Sequence, residues 1–90
     1  DLDEAARAPE RAAELRARAR RTLEEGVRAA PVPAGWFLLG RACEEGGDDD
    51  GARRAWERAY RDGPDQPGLR PRLARLRIRQ GAREAGEALL

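Results

Sequence analysis

The chain has 90 residues, a mass of 9.9 kDa and a formal net charge of +1. This length suits one small domain over 1–90 and excludes a cofactor domain beside a substrate domain. The chain has only one Phe, one Tyr and two Trp, and Val and Ile are scarce while Ala, Arg, Glu and Leu are abundant. Because β-branched and aromatic residues favour strands, this composition predicts an all-helical protein.

All 18 basic residues are Arg, and 17 acidic residues balance them. This balance of positive and negative charges differs from the excess of basic residues in a typical nucleic-acid-binding domain. The single Cys cannot form an internal disulfide, and no apolar stretch resembles a signal peptide or a membrane span. We therefore expect a cytoplasmic location and no contact with a membrane. Because the chain contains no Met, we also expect it to be a fragment of a longer protein.

The first predicted helix is amphipathic and extends over residues 9–30. Pro9 suits the first position of a helix, where its missing N–H costs no hydrogen bond, and Pro31 prevents continuation at the other end. We interpret the segment as one lengthened N-terminal helix that covers the end of the fold. Its apolar residues recur three or four positions apart, at Ala12, Leu15, Ala19, Leu23, Val27 and Ala30.

Two shorter helices are expected next, over 34–45 and 51–61, with a Gly pair between them. The three Asp residues at 48–50 precede the second of these helices, where carboxylates cap free N–H groups and face the positive end of the helix dipole. These acids lack the Gly and Glu spacing of a calcium loop, and the chain has no His. The sequence therefore predicts no metal site.

A dense cluster of Gly and Pro over 63–68 predicts a loop before a fourth helix. That helix should use Leu69, Leu73 and Leu76 as apolar positions and end near Arg79, because Gly81 follows. The last stretch, 82–90, is too short to form a stable helix alone and is expected to pack against the fourth helix.

Small and large residues recur with a spacing that matches a known family. The residues in question are Trp36, Leu39, Gly40, Ala52, Trp56 and Pro64. They resemble the tetratricopeptide repeat, in which W-x2-L-G is followed by A-x3-F and then by P, with a period of about 34 residues. Cys43 stands where the family has Tyr. The resemblance is closest over 34–64, and 69–90 is similar to a degenerate or truncated repeat.

The resemblance implies an all-α fold, in which antiparallel helix pairs form a right-handed superhelical stack. About five helices and two and a half repeats would fit in the chain. Gly40 and Ala52 would lie where the second and third helices touch, and Cys43, which has no His to act as its base, would be a core residue. Repeats of this family bind proteins, so the resemblance implies an interaction module or scaffold without catalytic residues or cofactors.

In the family, the first helix of each repeat lines a concave groove that binds a partner. Helical spacing gives the matching positions here as Phe37, Arg41, Glu44, Glu45, Arg75, Ile78 and Arg79, with Arg72 beside them. An exposed Phe, an Ile and four Arg would suit a peptide with acidic residues around an apolar anchor. Phe37 stands where the family's carboxylate clamp has Lys, so binding of a C-terminal carboxylate is not expected.

The arginine-rich stretch over 70–83 leaves several alternatives open. It could be a solvated helix face, a surface for an acidic partner, or a contact for nucleic-acid phosphates within a larger factor. No aromatic residue lies among these arginines, which disfavours stacking on single strands. Self-association through the C-terminal end at Leu89 and Leu90 is a further alternative. Steep salt dependence would indicate phosphate binding, and sedimentation of the isolated chain would detect self-association.

Overall fold

Four α-helices make up the described part of the protein. The computed structural model describes the backbone of residues 2–81 and the side chains of residues 8–81. The helices are α1 (Leu2–Ala29), α2 (Pro33–Glu45), α3 (Asp49–Asp62) and α4 (Leu69–Arg79), and no strand occurs within 2–81. The all-α class is therefore confirmed. The fifth helix expected within 82–90 lies outside the described residues, and the superhelical stack stays a prediction.

The predicted start of the first helix at Pro9 is wrong, because α1 begins at Leu2 and contains Pro9. Pro9 cannot donate a backbone hydrogen bond, so the helix loses one bond at this position. The sequence on both sides of Pro9 is rich in Ala, Arg and Glu, which have high helix propensity and favour continuation through the proline. The other end agrees with expectation, since α1 stops at Ala29, shortly before Pro31.

Among the described side chains of α1, from residue 8 to residue 29, those near the C-terminal end pack most closely against the rest of the fold. Val27 is buried and Leu23 is half-buried against the core. Between Ala8 and Ala19 every side chain except that of Ala12 is exposed. Although α1 has 28 residues, it is strongly polar. Within the described residues, no helix combines the length and the apolar character that are needed to cross a bilayer. The cytoplasmic location stays a prediction.

The core lies between the helices and is built from small and aliphatic side chains. Trp56, Leu69, Leu73 and Leu76 are its largest fully buried side chains. Alanines of α3 leave room for these larger groups, and Val27 from α1 joins the same cluster. The core is therefore thin, as the abundance of Ala predicts.

The helices α2 and α3 form an antiparallel hairpin with a close approach at Gly40. A Cβ atom on Gly40 would lie 2.7 Å from Cε2 of the Trp56 side chain, so the indole is packed directly against the backbone of α2. The Trp56 Nε1 donates a buried hydrogen bond of 3.0 Å to the carbonyl oxygen of Phe37. Ala52 is also fully buried. The predicted close approach at Gly40 is confirmed, and its nearest neighbour is Trp56.

The ends of α2 and α4 have the same backbone conformation. Gly46 has φ −85° and ψ 3°, and Gln80 has φ −83° and ψ 7°. The next residues, Gly47 and Gly81, have φ of 82° and 84°, in the left-handed region that favours glycine. Each pair is separated by 34 positions, so the period seen in the sequence is present in the backbone.

Asp48 connects the start of α3 to α1. One carboxylate oxygen accepts a hydrogen bond of 2.9 Å from the backbone N–H of Gly51, which caps α3. The other oxygen lies 2.8 Å from a guanidinium nitrogen of Arg20. The hydrogen bond from Gly51, helped by the one from Arg20, lowers the pKa of Asp48. The predicted capping role is therefore confirmed for Asp48, while Asp49 and Asp50 lie in the first turn of α3.

Replacement of Gly40 by Ala should destabilise the fold by about 1 to 3 kcal/mol, because the added methyl group overlaps the buried indole of Trp56. Urea unfolding followed by circular dichroism measures this loss. Gly26→Ala is the matched control, since no atom lies within 4 Å of a Cβ at that helical glycine. The control should stabilise the chain by about 0.4 to 1 kcal/mol. A stabilising effect of Gly40→Ala would show that the close approach at Gly40 is wrong.

Replacement of Asp48 by Ala should cost about 1 kcal/mol at neutral pH, because α3 loses its cap. Asp48→Asn should cost less, since Asn keeps the capping oxygen and loses only the charge. The folded pKa of Asp48 is below its unfolded value, so the stabilisation by the charge is complete above about pH 4 and is lost as the pH falls through the folded pKa. The difference in unfolding free energy between the parent chain and Asp48→Asn should therefore shrink in acid. A difference that grew in acid would contradict this sign.

Candidate partner-binding groove

Side chains of α2 and α4 meet across a small cleft, which we call the α2–α4 groove. It has a volume of about 130 Å³ and is lined by Glu44, Arg72, Arg75 and Arg79. All four are among the residues predicted to bind a partner. The groove forms because α4 follows the α2–α3 hairpin and packs on α3 beside α2.

Arg79 ties the end of α4 to both helices of the hairpin. One guanidinium nitrogen lies 3.0 Å from a carboxylate oxygen of Glu44, and the group donates two hydrogen bonds of 3.3 Å to Asp49. The hydrogen bond to Glu44, with those to Asp49, raises the pKa of Arg79. Sequence reasoning treated Asp49 only as part of a capping run, because a contact between residues 30 positions apart leaves no local signal.

Arg72 and Arg75 lie one turn apart on the groove side of α4. The guanidinium carbon of Arg72 lies 5.7 Å from the centre of the Phe37 ring, which is a cation–π contact. Arg75 is exposed. Among the side chains of residues 8–81, neither arginine has a carboxylate within 4 Å. The groove therefore contains two arginines that form no ion pair with any described acidic residue.

The expectation that Phe37 is exposed is wrong. Its side chain is only 9% exposed and belongs to the core cluster. Helical spacing correctly places Phe37 away from the line of Trp36 and Leu39, but α4 and the turn before it occupy that side. Arg72 covers the ring, and Gly68 lies beside it.

The other predicted residues are not all in one place. Ile78 is half-buried, and Arg41 is exposed on α2 without lining the cleft. Glu45 lines a different cleft between α1 and α2, together with Ala13 and Arg16. Since Glu45 follows Glu44 by one residue, it is rotated about 100° around the helix axis and faces away from α4.

Most arginines of α4 have partners inside the protein. Arg70 lies over the ring of Tyr60 at 5.7 Å, and Arg77 lies 3.0 Å from a carboxylate oxygen of Glu57. Arg83 is outside the described residues. The arginine-rich helix is therefore not a uniform basic face in the part that the structure describes, because its charges are distributed over several neighbours.

Cys43 is a core residue, as predicted. It is 2% exposed, and burial raises the pKa of its thiol. The sulfur lies on the side of α2 that faces α1 and α3, away from the α2–α4 groove.

The hairpin of α2 and α3 is followed by α4, whose C-terminal end has the same backbone conformation as the C-terminal end of α2. This arrangement defines the class of α-helical hairpin repeats. Residues 33–76 match the family model described as tetratricopeptide repeat, and this part of the chain is a tetratricopeptide repeat. Repeats of this family are in general protein-interaction modules and not enzymes. No curated protein and no solved structure matches the chain.

At neutral pH the Cys43 thiol of the native protein should react slowly with a thiol reagent. The side chain is buried, and its raised pKa lowers the fraction of reactive thiolate. The rate of release of the coloured product of an aromatic disulfide reagent measures this reactivity. The same chain in concentrated urea is the control and should react at the rate of a free cysteine. Equal rates in both conditions would contradict the buried position.

Proposed function

We propose that this chain is a non-catalytic interaction module that binds an acidic segment of a partner protein in the α2–α4 groove. The observation that supports the proposal is the pair Arg72 and Arg75, which face the cleft without a carboxylate partner among residues 8–81. The third arginine of the cleft, Arg79, is already bound to Glu44 and Asp49. The partner supplies the missing negative charge.

The small volume of the α2–α4 groove favours a single carboxylate side chain over a small organic ligand. Sites for small organic ligands usually have volumes of about 300 to 1,000 Å³, whereas this cleft has about 130 Å³. A guanidinium group binds a carboxylate through two parallel hydrogen bonds. Arg72 is held over Phe37 before binding, so less side-chain entropy is lost when the partner arrives.

Because Phe37 is buried, the α2–α4 groove offers a partner less apolar surface than the sequence predicted. With that ring inside the core, the half-buried Ile78 is the predicted groove residue left to offer apolar contact. Binding therefore depends mainly on charge. The internal pairing of Arg70, Arg77 and Arg79 supports a protein partner over nucleic acid at this site. Of the described arginines that line the groove, only Arg72 and Arg75 remain without a carboxylate partner, which is few beside the 6 to 10 phosphate contacts that give strong, salt-dependent binding.

Replacement of Arg75 by Glu should weaken the binding of an acidic peptide at least about tenfold, which corresponds to about 1.4 kcal/mol. The probe is a fluorescein-labelled peptide in which Glu alternates with Leu, and fluorescence anisotropy gives its dissociation constant. Arg28→Glu is the matched control, since Arg28 is exposed on α1 and the charge change is the same. Circular dichroism should show both variants folded.

Two results would contradict the proposed groove. The first is equal affinity of the Arg75→Glu and Arg28→Glu variants for the peptide. The second is equal affinity of the parent chain for the peptide and for a version with Gln in place of Glu.

A further inference from the structure

A second and larger groove lies on another side of α2, between α1 and α3. We call it the α1–α3 groove. Its volume is about 450 Å³, within the range of ligand-binding pockets. Its floor is an apolar stripe of α2 formed by Trp36, Leu39 and Cys43, with Ala55 of α3 beside it. The α2 residues of this floor recur at helical spacing and face away from the α2–α4 groove.

Charged side chains form the rim of this groove. They are Arg20, Glu24, Arg54, Glu57, Arg58 and Arg61. Both acids are already paired, since Glu24 lies 3.3 Å from Arg20 and Glu57 lies 3.0 Å from Arg77.

Two of the four rim arginines are also paired. Arg20 binds Asp48 at 2.8 Å, and Arg58 binds Asp62 at 2.9 Å. Arg54 and Arg61 have no carboxylate within 4 Å in the described part of the chain. They lie two turns apart on α3, or about 10 Å along the helix axis. Within residues 8–81, the rim therefore has two arginines without ion-pair partners above an apolar floor.

The floor also contains a hydrogen-bond donor without an acceptor. The Nε1 of Trp36 is buried and has no hydrogen-bond partner among the described residues, whereas the Nε1 of Trp56 donates to Phe37. An unpaired buried donor is unfavourable, because the group has lost its hydrogen bond to water without gaining another. The guanidinium of Arg58 lies 5.6 Å from the centre of the Trp36 ring. Because Arg58 is exposed, its side chain can move away from the ring and open the groove above Trp36.

We propose that the α1–α3 groove binds an acidic peptide segment of a partner protein. An apolar side chain of the segment packs on Trp36 and Leu39, and carboxylates on either side of it pair with Arg54 and Arg61. A backbone carbonyl of the segment accepts the free hydrogen bond of Trp36. The stripe from Trp36 to Cys43 is about 10 Å long, which matches three extended residues. This site uses α1 and α3 and is independent of the α2–α4 groove.

Nuclear magnetic resonance of the two indole N–H groups tests the proposal, because Trp36 lines the groove and Trp56 is fully buried. The probe is a peptide with one Phe between two pairs of Asp, and Trp36→Phe assigns the signals. The Trp36 signal should shift saturably. The double change Arg54→Glu with Arg61→Glu should weaken this binding at least about tenfold. Arg75→Glu is the control in the other groove and should leave the Trp36 response unchanged.

Each alternative outcome overturns the proposal. The absence of a saturable Trp36 shift would exclude the site, and equal binding of a peptide with Asn in place of Asp would exclude the role of charge. Loss of the Trp36 response in Arg75→Glu, with retention in the Arg54 and Arg61 variant, would assign the binding to the α2–α4 groove. Loss of the Trp36 response in the Arg54 and Arg61 variant, with retention in Arg75→Glu, supports the α1–α3 groove. This conclusion holds even if the α2–α4 groove binds nothing.

Discussion

The contact between the Trp56 indole and the backbone of α2 at Gly40 determines the arrangement of the other helices. It brings α2 and α3 close enough for alanines to fill most of the remaining space between them. The indole hydrogen bond to the Phe37 carbonyl also fixes the rotation of α2 about its axis. As a result Phe37 and Glu44 face α4, whereas Trp36 and Leu39 face the space between α1 and α3. The two grooves therefore depend on one side chain.

Arginine completes a core that is poor in large apolar residues. Each aromatic ring other than that of Trp56 has a guanidinium group over it, from Arg58 on Trp36, Arg72 on Phe37 and Arg70 on Tyr60. A guanidinium group can cover an aromatic face while its N–H groups stay in contact with water or a carboxylate. The arginines at the edge of the core thus shield apolar surface that an alanine-rich interior leaves open.

The sequence predicted the features that depend on neighbouring residues, and it failed where distant packing decides. Capping by Asp48, the loop over 63–68 and the close approach at Gly40 follow from local chemistry and a repeat pattern, and all three are present. The resemblance to the repeat family, together with helical spacing, also grouped Glu44 with Arg75 and Arg79. The sequence could not show that α4 covers Phe37, that Arg79 reaches Asp49, or that Arg54 and Arg61 lack carboxylate partners among residues 8–81. Those facts depend on ion pairs and ring contacts between helices.

The uneven packing of α1 produces a gradient of local stability along one helix. Side chains from residue 8 to residue 26 include none that is buried, whereas Val27 is in the core. Turns held only by their own hydrogen bonds open at little cost in free energy, because short isolated helices are marginal in water. Amide hydrogens near Leu15 are therefore expected to exchange with solvent through local opening of α1, while those near Val27 should exchange only when α1 also separates from the core. A single continuous helix would thus span two regions of different local stability.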